Sequence, residues 1–179
     1  MEQYLEKQLG CLCKSVRPAD AHAVEAAKHH WNEIAKPLYG LGKFEELLVK
    51  IAGVQKTEDI CLNKKAVVVF CADNGVVAEG VTQTDSSVTA VVTENFARGI
   101  ASVNRMASVA GADVIPVDIG VLGEIKEPGV RNCCIANGTK NMRKEPAMSH
   151  EQVLEAIHTG ITLASELKDA GYDLLAVGE

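Results

Sequence analysis

The chain has 179 residues, 47% of them hydrophobic and 23% charged. That composition suits a globular chain with a core of its own and excludes wholesale disorder or a low-complexity repeat. Its 18 basic and 24 acidic side chains leave a net charge of −6, which excludes a protein built to coat nucleic acid or an anionic membrane.

The first fifty-odd residues read as helices. The N-terminus, M-E-Q-Y-L-E, is acidic and lacks the apolar core of a secretory signal. Pro18 suits a first helical turn. After it, Val24, Ala27, Trp31 and Ile34 recur at helical spacing and predict one apolar stripe, ended by Pro37. Lys36 to Gly42, K-P-L-Y-G-L-G, reads as a turn. A second helix is predicted with Phe44, Leu47, Leu48 and Ile51 on its inner face and Gly53 as its stop.

The pattern then changes. Ala66 to Ala72, A-V-V-V-F-C-A, is short, β-branched and apolar on both faces, as in a parallel strand covered by helices on each side. This is also the longest apolar run, far short of the roughly twenty residues that cross a bilayer. A loop from Asp73 to about Asp85 precedes a helix with Val88, Val91, Val92 and Phe96 predicted inward. Another helix places Ile100, Val103, Ala107 and Ala110 on one stripe and stops at Gly111.

Asp113 to Asp118 is a second strand, in which Pro116 removes one ladder donor and predicts irregularity or an edge. A third strand is expected around Cys133 to Ala136. Ser149 and Gln152 have capping-box spacing at the head of a long helix. Val153, Ile157, Ile161 and Ala164 are its predicted buried side, and Gly171 its end. Asp173 to Val177 is a last buried strand. This alternation is the signature of an α/β fold: a parallel, Rossmann-like doubly wound sheet preceded by an N-terminal helical segment. The predicted division is residues 1–55, helical, and 56–179, α/β. The stop at Gly178-Glu179 falls where a ligand loop should begin, so a piece of a longer protein or a split gene is expected.

Loops leaving the carboxyl ends of parallel strands converge on one crevice. Three qualify: those starting at Asp73, at Asp118 and at Gly178-Glu179. Carboxylates there bind ribose hydroxyls, hold a cation, act as bases, or merely cap turns, and position alone leaves these readings open. Neither G-x-x-x-x-G-K-[ST] nor G-x-G-x-x-G occurs, so no P-loop or dinucleotide motif is present. The cysteines at 11, 13, 61, 71, 133 and 134 lack zinc-site spacing and read as reduced thiols of a cytoplasmic protein. His22, His29, His30, His150 and His158 share no ligand spacing and read as solvent-facing helix residues.

Six stretches, taken in order, carry a resemblance. They are K-P-L-Y-G-L-G-K-F-E at 36–45, A-D-N-G-V-V-A-E-G-V at 72–81, V-D-I-G-V at 117–121, N-G-T-K-N at 137–141, P-A-M-S at 146–149 and L-L-A-V-G-E at 174–179. Together they resemble the N-terminal half of the nicotinate-nucleotide:dimethylbenzimidazole phosphoribosyltransferase family of cobalamin biosynthesis. The resemblance implies transfer of 5-phosphoribosyl from nicotinate mononucleotide to 5,6-dimethylbenzimidazole or a related base, giving α-ribazole 5'-phosphate and nicotinate. It implies a homodimer, no cofactor and no metal.

Carried over by motif, Asp73, Asn74, Gly75, Glu79, Gly80, Thr84, Val92, Gly178 and Glu179 are the implied substrate-binding residues. Asn74 stands where the family has His. Thr84 keeps the hydroxyl of a pocket serine, and Val92 replaces a pocket glutamine, which leaves the acceptor base open. The family's general base and most of its phosphate loop, G-x-x-N-T-T, correspond to positions beyond residue 179, so no catalytic residue is expected in this chain and inactivity alone is. The alternatives are a family transferase using a purine or phenolic acceptor, and a non-catalytic α/β ligand-binding or regulatory module.

Overall fold

A computed structural model describes residues 2–179. The β-branched run forms β1 (Lys65–Ala72), flanked by β2 (Ala112–Gly120) and β4 (Leu174–Gly178), with the two-residue β3 (Arg131–Asn132) beyond β2. The order is β3-β2-β1-β4, with every pairing parallel. Parallel strands need crossovers. Helices α4 (Ser87–Ala97) and α5 (Ser102–Val109) carry the chain from β1 to β2, and α6 (His150–Asp169) carries it from β3 to β4.

Alternate residues of β1 and β2 face opposite sides, and each side is covered. Val68 and Val117 pack with Leu163 and Leu167 of α6. Val69, Cys71 and Val121 pack with Ala90 and Phe96 of α4. The sheet is therefore doubly wound. The chain leaves β1 toward β2 and later returns to pair on β1's other side as β4, so a topological switch point lies between β1 and β4. Pro116 is tolerated in β2 because β3 pairs only with Val117 and Asp118.

The chain divides into two compact units, residues up to Gly10 with Asn63–Glu179, and Cys11–Leu62. In the second, α2 (Ala21–Glu33) is capped by Asp20, whose side chain accepts the Ala23 N–H at 2.9 Å. It packs on α3 (Lys43–Gln55) with Ala23, Ala27, Ala52 and Gly53 buried. Gly53 is a contact residue rather than a stop: a Cβ there would lie 2.6 Å from a Val24 methyl. The helix runs on to a left-handed cap at Lys56. Ile34, expected on the buried stripe, is instead the extended, exposed residue after α2. Phe44 and Leu47, expected inward, are also exposed. The inward place is taken by Glu45, which accepts from Lys36 at 2.9 Å and from the Leu41 N–H at 3.0 Å.

The same correction applies to the sheet unit. Helix α4 buries Thr93 and half-buries Thr89, while Val88, Val91 and Val92 are exposed. Helix α6 buries Leu154, Leu163 and Leu167 in place of the stripe led by Val153 and Ile157. Helix α4 is thus turned by about one residue, roughly 100°, from the predicted face, whereas α6 buries Leu163 and Leu167 on one side and Leu154 on the other. Ile100 precedes α5 and is exposed, leaving Ala107 as that helix's buried residue. The third strand lies two residues earlier than expected. After it, Cys133, Ile135 and Gly138 donate in turn to the carbonyls of Asp118, Ile119 and Gly120. β4 is exposed at Leu174 and Val177 because, as the last strand in the order, it has one neighbour. His158, expected in solvent, is half-buried, with its imidazole 3.0 Å from the Gln8 side-chain oxygen of α1 (Glu2–Ser15).

Helix propensity alone favours Gly53→Ala by about 1 kcal/mol. The close contact with Val24 predicts the reverse, a net loss of roughly 1 kcal/mol from overpacking, read as a lower midpoint in denaturant unfolding. The Lys36 and Leu41 contacts hold the Glu45 carboxyl below the usual glutamate range. Its stabilising contribution is therefore full above the unfolded-state value and is lost as pH falls through the folded-state value. Glu45→Gln should flatten the pH dependence of the melting temperature across that acid range, measured by circular dichroism, and leave the neutral-to-basic limb unchanged.

Candidate active-site groove

Beyond the C-terminal ends of β1 and β2, the chain must turn while burying polar backbone. Two carboxylates make this possible. Asp118, 5% exposed, accepts the N–H groups of Gly120 and Val121 on one oxygen, at 3.0 and 2.9 Å. Asp73, 3% exposed, uses both oxygens: one accepts the Thr89 hydroxyl of α4 at 2.7 Å, the other the Leu122 N–H at 2.7 Å. Its backbone holds the same turn again, donating to Gly120 O at 3.0 Å, and joins one more segment by accepting from Thr139 N at 2.8 Å. Asp73 thus ties together three pieces of chain, α4, the turn after β2 and the loop at Thr139, and its carboxylate oxygens are directed at protein donors.

The segment after it is equally constrained. A Cβ on Gly75 would lie 2.5 Å from the Thr139 carbonyl oxygen, so only glycine fits where the two loops touch. The Gly75 N–H donates to the Thr139 hydroxyl at 3.1 Å. A 3-10 turn, Gly75–Glu79, ends on Gly80 at φ +72°. Glu79 is turned toward the 141–144 loop, accepting from Asn141 at 2.7 Å and Arg143 at 2.9 Å, with Lys144 at 3.6 Å.

An open groove of about 400 Å³ lies beside these loops, between the end of β1 and the outer side of α4. Val88, Val92 and Phe96 form its apolar wall, Phe70, Cys71 and Ala72 of β1 border it, and Thr84, Asp85, Thr89 and Glu179 supply polar atoms. Of the residues singled out by motif, Thr84, Val92 and Glu179 line the groove together. Asn74 stands beside it, its side-chain amide donating to Glu179 at 3.3 Å across the switch point. Gly178 ends β4, and the residue before Glu179 therefore sits opposite Val69 of β1. Asp73 supports the groove through Thr89, while Glu79 and Gly80 lie on the neighbouring 3-10 turn.

Sequence reading passed over Phe70, Asp85 and Thr89. Thr89 and Thr93 are four residues apart and face inward, a spacing visible in the sequence but outweighed there by the adjacent valines. Asp85 accepts from the Ser87 N–H at 2.9 Å and from the Ser87 hydroxyl. These bonds keep its carboxyl below the usual aspartate range. Cys71, buried at the groove floor, has its thiol pushed up by burial. Among the described residues, the side chains close enough to share a cation are Glu2, Glu6 and His150, on the surface away from the groove lining. Chemically, the groove offers an apolar slot for a flat ring, with hydrogen-bonding groups at its edge.

Known proteins resemble this chain in sequence and fold. A family model described as phosphoribosyltransferase matches residues 16–179. The nicotinate-nucleotide–dimethylbenzimidazole phosphoribosyltransferase of Clostridium tetani is 37% identical over 166 residues, which are 93% of this chain and 46% of that protein. The protein of the same name from Chloroflexus aggregans is 42% identical over 165 residues, 92% and 47% of the two chains. The crystal structure of the Thermus thermophilus enzyme of that name superposes with a TM-score of 0.83 at 36% identity, covering 89% of this chain and 48% of that one. The chain belongs to this phosphoribosyltransferase family, and it spans about half the length of the curated relatives it matches. No helix among the described residues is long and apolar enough to cross a membrane.

Replacing Asp73 should test the framework of the groove. Asp73→Ala leaves the Leu122 N–H and the Thr89 hydroxyl without their acceptor, for an expected loss of about 2 kcal/mol. Asp73→Asn, which keeps one acceptor oxygen, should lose less. Denaturant unfolding of both variants against the unaltered chain measures the difference.

Proposed function

We propose, with that membership as premise, that this chain is the N-terminal part of a nicotinate mononucleotide:benzimidazole phosphoribosyltransferase and supplies the acceptor side of its active site. The observation that carries the reading is the meeting of Thr84, Val92 and Glu179 in one groove, with Asn74 bonded to Glu179 at the switch point. These are motif residues separated by up to 105 positions in the chain.

In the proposed reaction the bond between the ribose anomeric carbon and the pyridinium nitrogen breaks, and its electron pair neutralises that nitrogen as nicotinate leaves. The acceptor's ring nitrogen supplies the pair for the new bond, and its N–H proton passes to a general base. The chain's contribution is orientation: the apolar slot holds the acceptor ring flat, and the strand-end loops hold the ribose side. Glu179 and the preceding Gly178 stand where the ribose phosphate approaches. The general base and the rest of the phosphate loop belong to the family's second half. Asp73, Asn74, Gly75, Glu79 and Gly80 shape and line the ribose side of the site.

The complete enzyme, on this reading, is a cytoplasmic homodimer that needs no cofactor, and residues 1–55 contribute to its smaller helical domain. The 179-residue chain incubated with nicotinate mononucleotide and 5,6-dimethylbenzimidazole should release no nicotinate. The same chain joined after Glu179 to the second half of the Clostridium tetani relative should release nicotinate and form α-ribazole phosphate. Release by the short chain alone would refute the division of labour. A folded, dimeric chimera without turnover would refute the assignment of the reaction.

A further inference from the structure

We propose that Asp85 selects the acceptor, favouring an aromatic heterocycle with an N–H or NH2 edge over a phenol. The inference rests on the reading of the groove as the acceptor slot and goes beyond it by naming a specificity residue.

Asp85 sits at the head of α4 on the groove lining, next to Thr84 and ahead of the apolar wall that Val88, Val92 and Phe96 form on the same helix. Ser87, two residues on, donates to one of its oxygens through both N–H and hydroxyl, which fixes the carboxylate's orientation without covering its second oxygen. The same bonds favour the ionised form. An ionised carboxylate accepts hydrogen bonds and donates none. Glu179, the other acid of the lining, adds charge of the same sign. Val92 offers no polar atom at all, so the discriminating polar contacts at this end of the groove come from Asp85 and the threonine hydroxyls.

Charge then separates two classes of acceptor ring. A benzimidazole or an aminopurine carries N–H donors on its edge, and a bond from such a donor to a carboxylate is charge-assisted. A phenol becomes a nucleophile as it loses its proton, placing a developing negative oxygen near two fixed carboxylates. Like charges repel. The apolar wall is indifferent to this difference, so the choice falls on the acids.

Calorimetric titration of the 179-residue chain at about pH 8.5 with 5,6-dimethylbenzimidazole, adenine and p-nitrophenol, a phenol that is mostly ionised at that pH, tests the proposal through binding, without requiring turnover. The unaltered chain should bind the two heterocycles and discriminate against p-nitrophenolate. Asp85→Asn, which preserves shape and removes charge, should weaken both heterocycles about tenfold, the worth of one hydrogen bond to a charged group. It should tighten p-nitrophenolate. Asp85→Glu should restore part of the preference, and unfolding curves confirm that each variant is folded. Equal effects on heterocycles and phenol, or none on either, would overturn the role of Asp85 while leaving the groove reading intact. Failure of the unaltered chain to bind any of the three rings would overturn the groove reading itself, and this assignment with it.

Discussion

The architecture of the C-terminal end of the sheet depends on one buried carboxylate. Asp73 leaves β1 at the point where the strand must become a loop, and its side chain and backbone make four hydrogen bonds to other segments. A carboxylate buried this deeply is tolerated only when its oxygens find donors. Here the donors come from a helix, from the turn after β2 and, through the backbone, from the 137–141 loop. One residue therefore sets the relative position of elements that are distant in sequence, and the groove beside them inherits that geometry.

The second determinant is connectivity. With the order β3-β2-β1-β4, the chain crosses from one side of β1 to the other, and helices must cover both faces. The loop after β1 consequently turns toward β2 and leaves an open space beside the end of β4. Asn74 and Glu179 meet across it. A flat ring lying against Val88, Val92 and Phe96 would be held between this meeting point and the head of α4. The groove is thus a consequence of topology, lined afterwards by side chains.

The faces of the helices show how local and tertiary preferences compete. In α4 the valines form the more apolar stripe, yet the threonines face inward. The hydroxyl of Thr89 satisfies Asp73, and that of Thr93 satisfies the Thr89 carbonyl at 2.7 Å. A valine at 89 would leave the buried carboxylate short of a donor. The displaced Val88 and Val92 are then free to line the groove. The same competition occurs in α3, where Glu45 takes an inward position because Lys36 and the Leu41 N–H meet it there, while Phe44 is left exposed.

Much was therefore legible in the sequence by itself. The β-branched run at 66–72, the capping box at Ser149 and the positive-φ glycine at 171 act over a few residues, so their signals are local and the α/β alternation follows from them. The ordered motifs likewise placed the chain in its family and marked Thr84, Val92 and Glu179. The tertiary structure alone decided which face each helix turns inward, that Asp73 points its oxygens at protein donors, that Gly53 marks a helix contact, and that Asp85 borders the groove. Hydrophobic periodicity ranks faces by apolarity, whereas burial of a charged group is settled by partners scores of residues away, and those partners exist only once the chain has folded.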